Sequence, residues 1–156
     1  MSEPDRIVPR VGLDDGGQPA ADLFASAFQH ALIGMAVTAN DGAILDVNPA
    51  LCRMLGHGRD DLLGRTIIEF THPLERHALA GRLASLARRE SSSVQTDWRF
   101  IVHDDVIGWA RLSMSAACSS EECGKHLVIQ AQDITAEQAA ETARRDAERR
   151  FRAFIE

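Results

Sequence analysis

The sequence predicts an α+β fold: a small cupped antiparallel sheet with helices packed on one face, flanked by an N-terminal and a C-terminal helix. Three observations predict it. First, three late runs, 94–103, 109–117 and 127–132, alternate apolar and polar residues, so each has one apolar face. Second, two short apolar runs flank the turn triplet Asn40-Asp41-Gly42. Third, segments toward both ends place apolar residues three and four apart, the spacing of a helix.

Taken in order, residues 1–18 are rich in Pro, Gly and Asp and have no apolar period, so they read as a disordered lead-in. In 19–32, Leu23, Phe24, Ala27, Phe28, Ala31 and Leu32 form the stripe of an amphipathic helix. That stripe needs a cover, either the domain's own sheet or a second copy. Residues 35–39 and 43–47 form a β-hairpin, because Asn, Asp and Gly tolerate the positive φ of a tight turn. Asn48 is suited to cap the next helix, Pro49 loses no bond at its first position, and Gly56 supplies a left-handed stop. Residues 60–64 read as one short helical turn. A longer helix is expected over 73–89, with Leu79, Leu83 and Leu86 as its buried stripe. The three alternating runs follow. Thr135-Ala136-Glu137-Gln138 fits a capping box that opens the last helix. Along that helix Ala140, Ala143, Ala147 and Phe154 share a seven-residue seam.

Composition narrows the function. The 156 residues fit one domain with flanking helices, and a 45% hydrophobic content can fill a core. Formal net charge is −6 with no continuous basic face, so nucleic acid is not an expected partner. The three cysteines are an odd number without disulfide-framework spacing. No basic-then-apolar leader opens the chain, and no apolar run approaches the ~18 residues of a membrane span. A cytoplasmic location without membrane contact from this segment is expected. Catalysis is not expected either: no nucleophile-elbow serine, Gly-rich phosphate loop or metalloprotease histidine spacing is present.

The ordered pieces resemble one family. They are Ile33-Gly34-Met35-Ala36-Val37-Thr38, Asp41-Gly42-Ala43-Ile44-Leu45-Asp46-Val47-Asn48-Pro49-Ala50, Leu55-Gly56-His57, Asp61-Leu62-Leu63-Gly64-Arg65, His72-Pro73, Trp98-Arg99, Trp109 and Asp133-Ile134-Thr135. In this order they resemble the PAS sensory domains, over roughly residues 24–138. The family often has a Lys-Asp-Gly turn between its third and fourth strands. This chain instead has His103-Asp104-Asp105-Val106-Ile107-Gly108. The resemblance implies a five-stranded antiparallel sheet cupping a small interior in 33–135, with 136–156 as a signalling, coiled-coil helix. It also implies a regulatory input to an output domain, such as a kinase or a cyclic-dinucleotide enzyme, which these residues do not contain.

Alternation assigns the cup. Trp98, Phe100, Ala110, Leu112, Met114, Leu127, Ile129 and Ala131 are expected to point inward with Val37 and Leu55. They either fill a core or line a pocket for a small, mostly apolar ligand. Asp133, Ile134 and Thr135 join the last strand to the exit helix and are the expected route of signal transmission. Homodimerisation is expected through the first helix, the outward Val128 face and the exit helix.

No resident cofactor is the leading expectation, with haem and flavin as alternatives. Haem-binding relatives supply a histidine from the long helix, and His77 lies in that region. The two tryptophans prompt a flavin. A thiol-adduct photocycle is not expected, because Ile67 stands where photoactive flavin relatives carry their cysteine. Cys118 and Cys123 flank an acidic loop and read as free thiols. Two cysteines alone do not make a structural zinc site.

Overall fold

A computed structural model describes residues 18–117 and 125–155. The expected lead-in, except Gln18, lies outside the described residues, as do Cys118 and Cys123. The elements in order are α1 (Gln18–His30), β1 (Gly34–Ala39), β2 (Ile44–Val47), α2 (Pro49–Leu55), α3 (Arg59–Leu62), α4 (Arg76–Ala87), β3 (Ser93–Val102), β4 (Val106–Ala117), β5 (His126–Asp133) and α5 (Thr135–Ile155). Short 3-10 turns occupy Ile67–Phe70, Pro73–Glu75 and His103–Asp105.

All five strands form one antiparallel sheet in the order β2-β1-β5-β4-β3. The hairpin turns where the sequence places it: Gly42 takes φ 89°, and the Ala39 N–H donates to Ala43 O at 2.9 Å. Pairing puts the inward residues in rows across the sheet. One row is Ile44, Thr38, Leu127 and Ala116, and the next is Val47, Ala36, Ile129, Met114 and Val94. Leu112 with Ala131, and then Trp98 with Ala110, continue toward the far end.

The helices close over this face. Asn48 caps α2, its side-chain oxygen accepting from Leu51 N–H at 3.0 Å. Gly56 ends α2 in the left-handed conformation at φ 72°. Leu51, Leu55, Leu62, Ile67, Phe70, Leu79, Leu83 and Leu86 meet the sheet residues in one buried cluster. Burial of this many aliphatic and aromatic side chains is the main stabilising contribution, roughly 1.5–3 kcal/mol for each large one.

Three features differ from expectation. Residues 73–75 form a 3-10 turn, and α4 starts only at Arg76. His72 caps that turn, its Nδ1 accepting from Leu74 N–H at 3.2 Å. β4 begins at Val106, three residues early, because the 3-10 turn before it ends on Asp105 with φ 62°. That compact reversal, tolerated by Asp, replaces the expected longer loop. The α1 stripe is largely uncovered: Phe28 is 5% exposed, whereas Leu23 and Phe24 are 58% and 61% exposed.

Candidate functional site: the cup and the exit joint

Nine of the ten residues expected in the cup come together. Leu55, Trp98, Phe100, Ala110, Leu112, Met114, Leu127, Ile129 and Ala131 are all buried in the single core cluster. Val37 is a correction. It is half-buried and pairs with Val128 on the outer face of the sheet. Gly34, Ala36 and Thr38 are the inward residues of β1. The run Met35-Ala36-Val37-Thr38-Ala39 has little contrast, and a polar Thr beside a Val favours the wrong phase. Gly34 carried the missing signal: a Cβ there would sit 3.0 Å from Leu51 Cδ1, so that position must face α2.

The buried polar side chains among the described residues are Thr38, Asn48 and Thr71. Asn48 is fully engaged: beyond capping α2, its oxygen accepts from Met35 N–H at 2.8 Å and its amide donates to Ile33 O at 3.0 Å. This fastens α2 to the start of β1. Thr71 accepts from the Trp98 indole N–H at 2.9 Å and donates to Ile67 O at 3.0 Å. Trp98 leans on Phe100, with ring centroids 5.3 Å apart. The aromatic end of the cup is thus closed by a bonded, packed group. Thr38 Oγ1 has no hydrogen-bond partner among the described residues.

The arrangement does not fit a haem or a flavin. His77 is exposed on α4, whose core-facing residues are Leu79, Leu83 and Leu86. It therefore cannot serve as an axial ligand inside the cup, which corrects that expectation. A flavin ring needs several polar partners, and with Asn48 and Thr71 already committed the buried polar set among the described residues leaves only the Thr38 hydroxyl. Cys52 is half-buried on α2, and burial pushes its thiol above the ordinary value, against the opposing charge of Arg59.

The exit joint is built around Trp109 in β4. Asp133 Oδ1 accepts from Thr135 N–H at 2.9 Å and from the Thr135 hydroxyl at 2.6 Å. Thr135 Oγ1 in turn accepts from Trp109 N–H at 3.0 Å, and Ile134 N–H donates to Trp109 O at 2.8 Å. Ile134 itself is buried. The expected capping box is not made. Gln138 N–H bonds Ile134 O at 2.9 Å, so the Thr135 hydroxyl is free to tie the helix to β4. Arg99 of β3 lies over the Trp109 ring, its guanidinium carbon 5.6 Å from the centroid. Arg99 also pairs with Glu75, which ends the 3-10 turn leading into α4. A continuous set of contacts therefore runs from the 3-10 turn before α4, around the β3 edge, to the first turn of α5.

A five-stranded antiparallel sheet cupped by short helices, with a terminal helix fixed to its central strands, is the architecture of a sensory domain. The PAS fold family model matches residues 22–134. The chain belongs to the PAS family. It is 26% identical over 111 residues to the Probable diguanylate cyclase DgcE of Escherichia coli (strain K12), covering 71% of this chain and 10% of that protein. It is 26% identical over 90 residues to the Sensor histidine kinase TmoS of Ectopseudomonas mendocina, covering 58% of this chain and 9% of that protein. The chain thus spans about a tenth of the length of these curated relatives. A crystal structure of a PAS domain from Colwellia psychrerythraea superposes with TM-score 0.66 at 19% identity, over 75% of this chain and 98% of that one. No helix among the described residues is long and apolar enough to cross a membrane.

Proposed function

We propose that this chain is the sensory, regulatory module of a bacterial-type signal transduction protein. Its cup takes a small ligand, and the resulting shift passes through α5 to an output domain outside this chain. The exit joint carries this reading. Thr135 is bonded at once to Trp109 of β4 and to Asp133 at the end of β5, so a change in the relation of those strands changes the angle at which α5 leaves. Such coupling needs two arrangements that differ in ligand affinity. The kinase and cyclase named for the two relatives make an output of either kind a fitting partner. No catalytic step is assigned to the cup.

The test is to replace Asp133 and Thr135 with Ala in the intact signalling protein and measure its output with and without stimulus. Loss of regulation with a folded protein is expected; unchanged regulation overturns the joint.

A second reading is a constitutive homodimerisation module. It is favoured by Leu23 and Phe24 on α1 and by Phe151, Phe154 and Ile155 on α5, all exposed in the single chain. Sedimentation of the chain at micromolar concentration, beside Leu23→Glu, decides it. A monomer at every concentration rules out this reading.

A further inference from the structure

Thr38 is 0% exposed, faces the core from the hairpin end of β1, and leaves its hydroxyl unbonded among the described residues. The other two buried polar side chains show what a satisfied group looks like here: Asn48 makes three bonds and Thr71 makes two. A buried hydroxyl without a partner is destabilising, and an isosteric Val would avoid the cost. Its neighbours across the sheet are Ile44, Leu127 and Ala116, none of which offers a side-chain donor or acceptor. This row lies at the opposite end of the cup from the Trp98–Thr71 plug.

We infer that Thr38 is the polar anchor of a binding site for a small neutral ligand, a short aliphatic body carrying one hydroxyl or carbonyl group. The inference rests on the sensory reading above and names the ligand class of that cup. Three arguments fix the chemistry. A threonine hydroxyl both donates and accepts, so either ligand group satisfies it. The aliphatic body follows from Ile44 and Leu127 beside it, with Ala36 and Ala116 adding little bulk. Neutrality follows from the buried set: it contains no Arg, Lys, His, Asp or Glu among the described residues, so an ion entering there loses its hydration without a counter-charge. A lone water is a poor substitute, because a buried water needs two to four polar partners and this row supplies one side-chain group.

The experiment titrates 1-butanol, and separately butyrate at neutral pH, into the 156-residue chain as wild type, Thr38→Val and Thr38→Ser. Saturable shifts of the Ile44 and Leu127 methyl resonances report binding. Wild type and Thr38→Ser are expected to saturate with 1-butanol and not with butyrate. Thr38→Val is expected to bind 1-butanol about tenfold more weakly, the loss of one hydrogen bond. Without ligand its thermal midpoint should rise by about 4 °C, from removal of the orphaned hydroxyl. Equal binding of 1-butanol by wild type and Thr38→Val overturns the anchor while leaving a ligand-binding cup. Tighter binding of butyrate overturns the neutral class. Absence of any saturable shift overturns the site, and a lowered midpoint in Thr38→Val shows that the hydroxyl has a protein partner. The Asp133 and Thr135 output measurement fails or succeeds independently of all four.

Discussion

Glu75 grips Arg99 twice. One carboxylate oxygen accepts from the Arg99 backbone N–H at 2.9 Å, and the other accepts from its guanidinium Nε at 2.6 Å. Both side chains are half-buried, so solvent screens the pair less than it does the exposed ion pairs along α5. Glu75→Ala leaves a partly desolvated guanidinium and a free strand N–H. The expected loss is about 1–3 kcal/mol, read as a lower midpoint in urea unfolding. Glu75→Gln should recover part of it, because the amide oxygen still accepts from the backbone.

Thr135 joins three elements through one hydroxyl. Thr135→Val keeps the shape and removes the acceptor for Trp109 N–H. Amide exchange at Trp109 and in the first turn of α5 should quicken, with a stability loss of about 1 kcal/mol. Thr135→Ser should behave as wild type. Unchanged exchange at Trp109 would mean that the hydroxyl does not hold the joint.

The Thr71–Trp98 bond is buried at both ends. Thr71→Val strands the indole N–H, and about 1–3 kcal/mol is expected to be lost. Trp98→Phe removes that donor but also packing volume. A double-mutant cycle should return a coupling of about 1 kcal/mol or more, since the second change costs less once the first is made.

Gly108 pairs with Phe100 across the β3–β4 ladder, and a Cβ added there would overlap the Phe100 ring. Phe100 is buried beside Trp98 and has little freedom to retreat. Gly108→Ala should destabilise by about 1–3 kcal/mol. Adding Phe100→Leu should recover part of that loss, because the smaller side chain vacates the overlap. Absence of recovery would place the strain elsewhere.

Acid should loosen α5. Hydrogen bonds from Arg144, then from Arg145, hold the Glu141 carboxyl below its ordinary value. A depressed carboxylate stabilises the folded helix above the unfolded-state value, and this is lost as pH falls through the lowered one. Far-ultraviolet circular dichroism should show helix content declining in that acid window. Glu141→Gln should flatten this part of the titration, and high salt should weaken it.

Much of this was legible in the sequence because neighbouring signals agreed. Alternation in β3, β4 and β5 contrasts large apolar residues with Arg, Ser and Gln, and all eight inward assignments there match the burial. Asn48-Pro49 and Gly56 bracket α2 because their chemistry is local. β1 was legible as a strand but its inward face was not: the larger apolar Met35 and Val37 lie on the outer face while Gly34, Ala36 and Thr38 face the core, so packing against α2 rather than hydropathy sets the phase. The Ile67–Phe70 turn was missed although Thr66 caps it, its Oγ1 accepting from Ile68 N–H at 3.4 Å, because four residues are too few to display a helical period. The joint was located at Asp133-Ile134-Thr135, but the roles were not. Thr135 reads as a local cap, and its bond to Trp109, 26 residues away, depends on which strands become neighbours.

The strand order has an architectural corollary. β1 and β5 lie side by side and run oppositely, with Gly34 facing Ala131. The polypeptide therefore enters and departs through one doorway, with its two threads about 5 Å apart. A unit wired this way can be spliced into a host, or strung in tandem with others, without prising its neighbours open. Tugging on both threads together loads the ladder between them first.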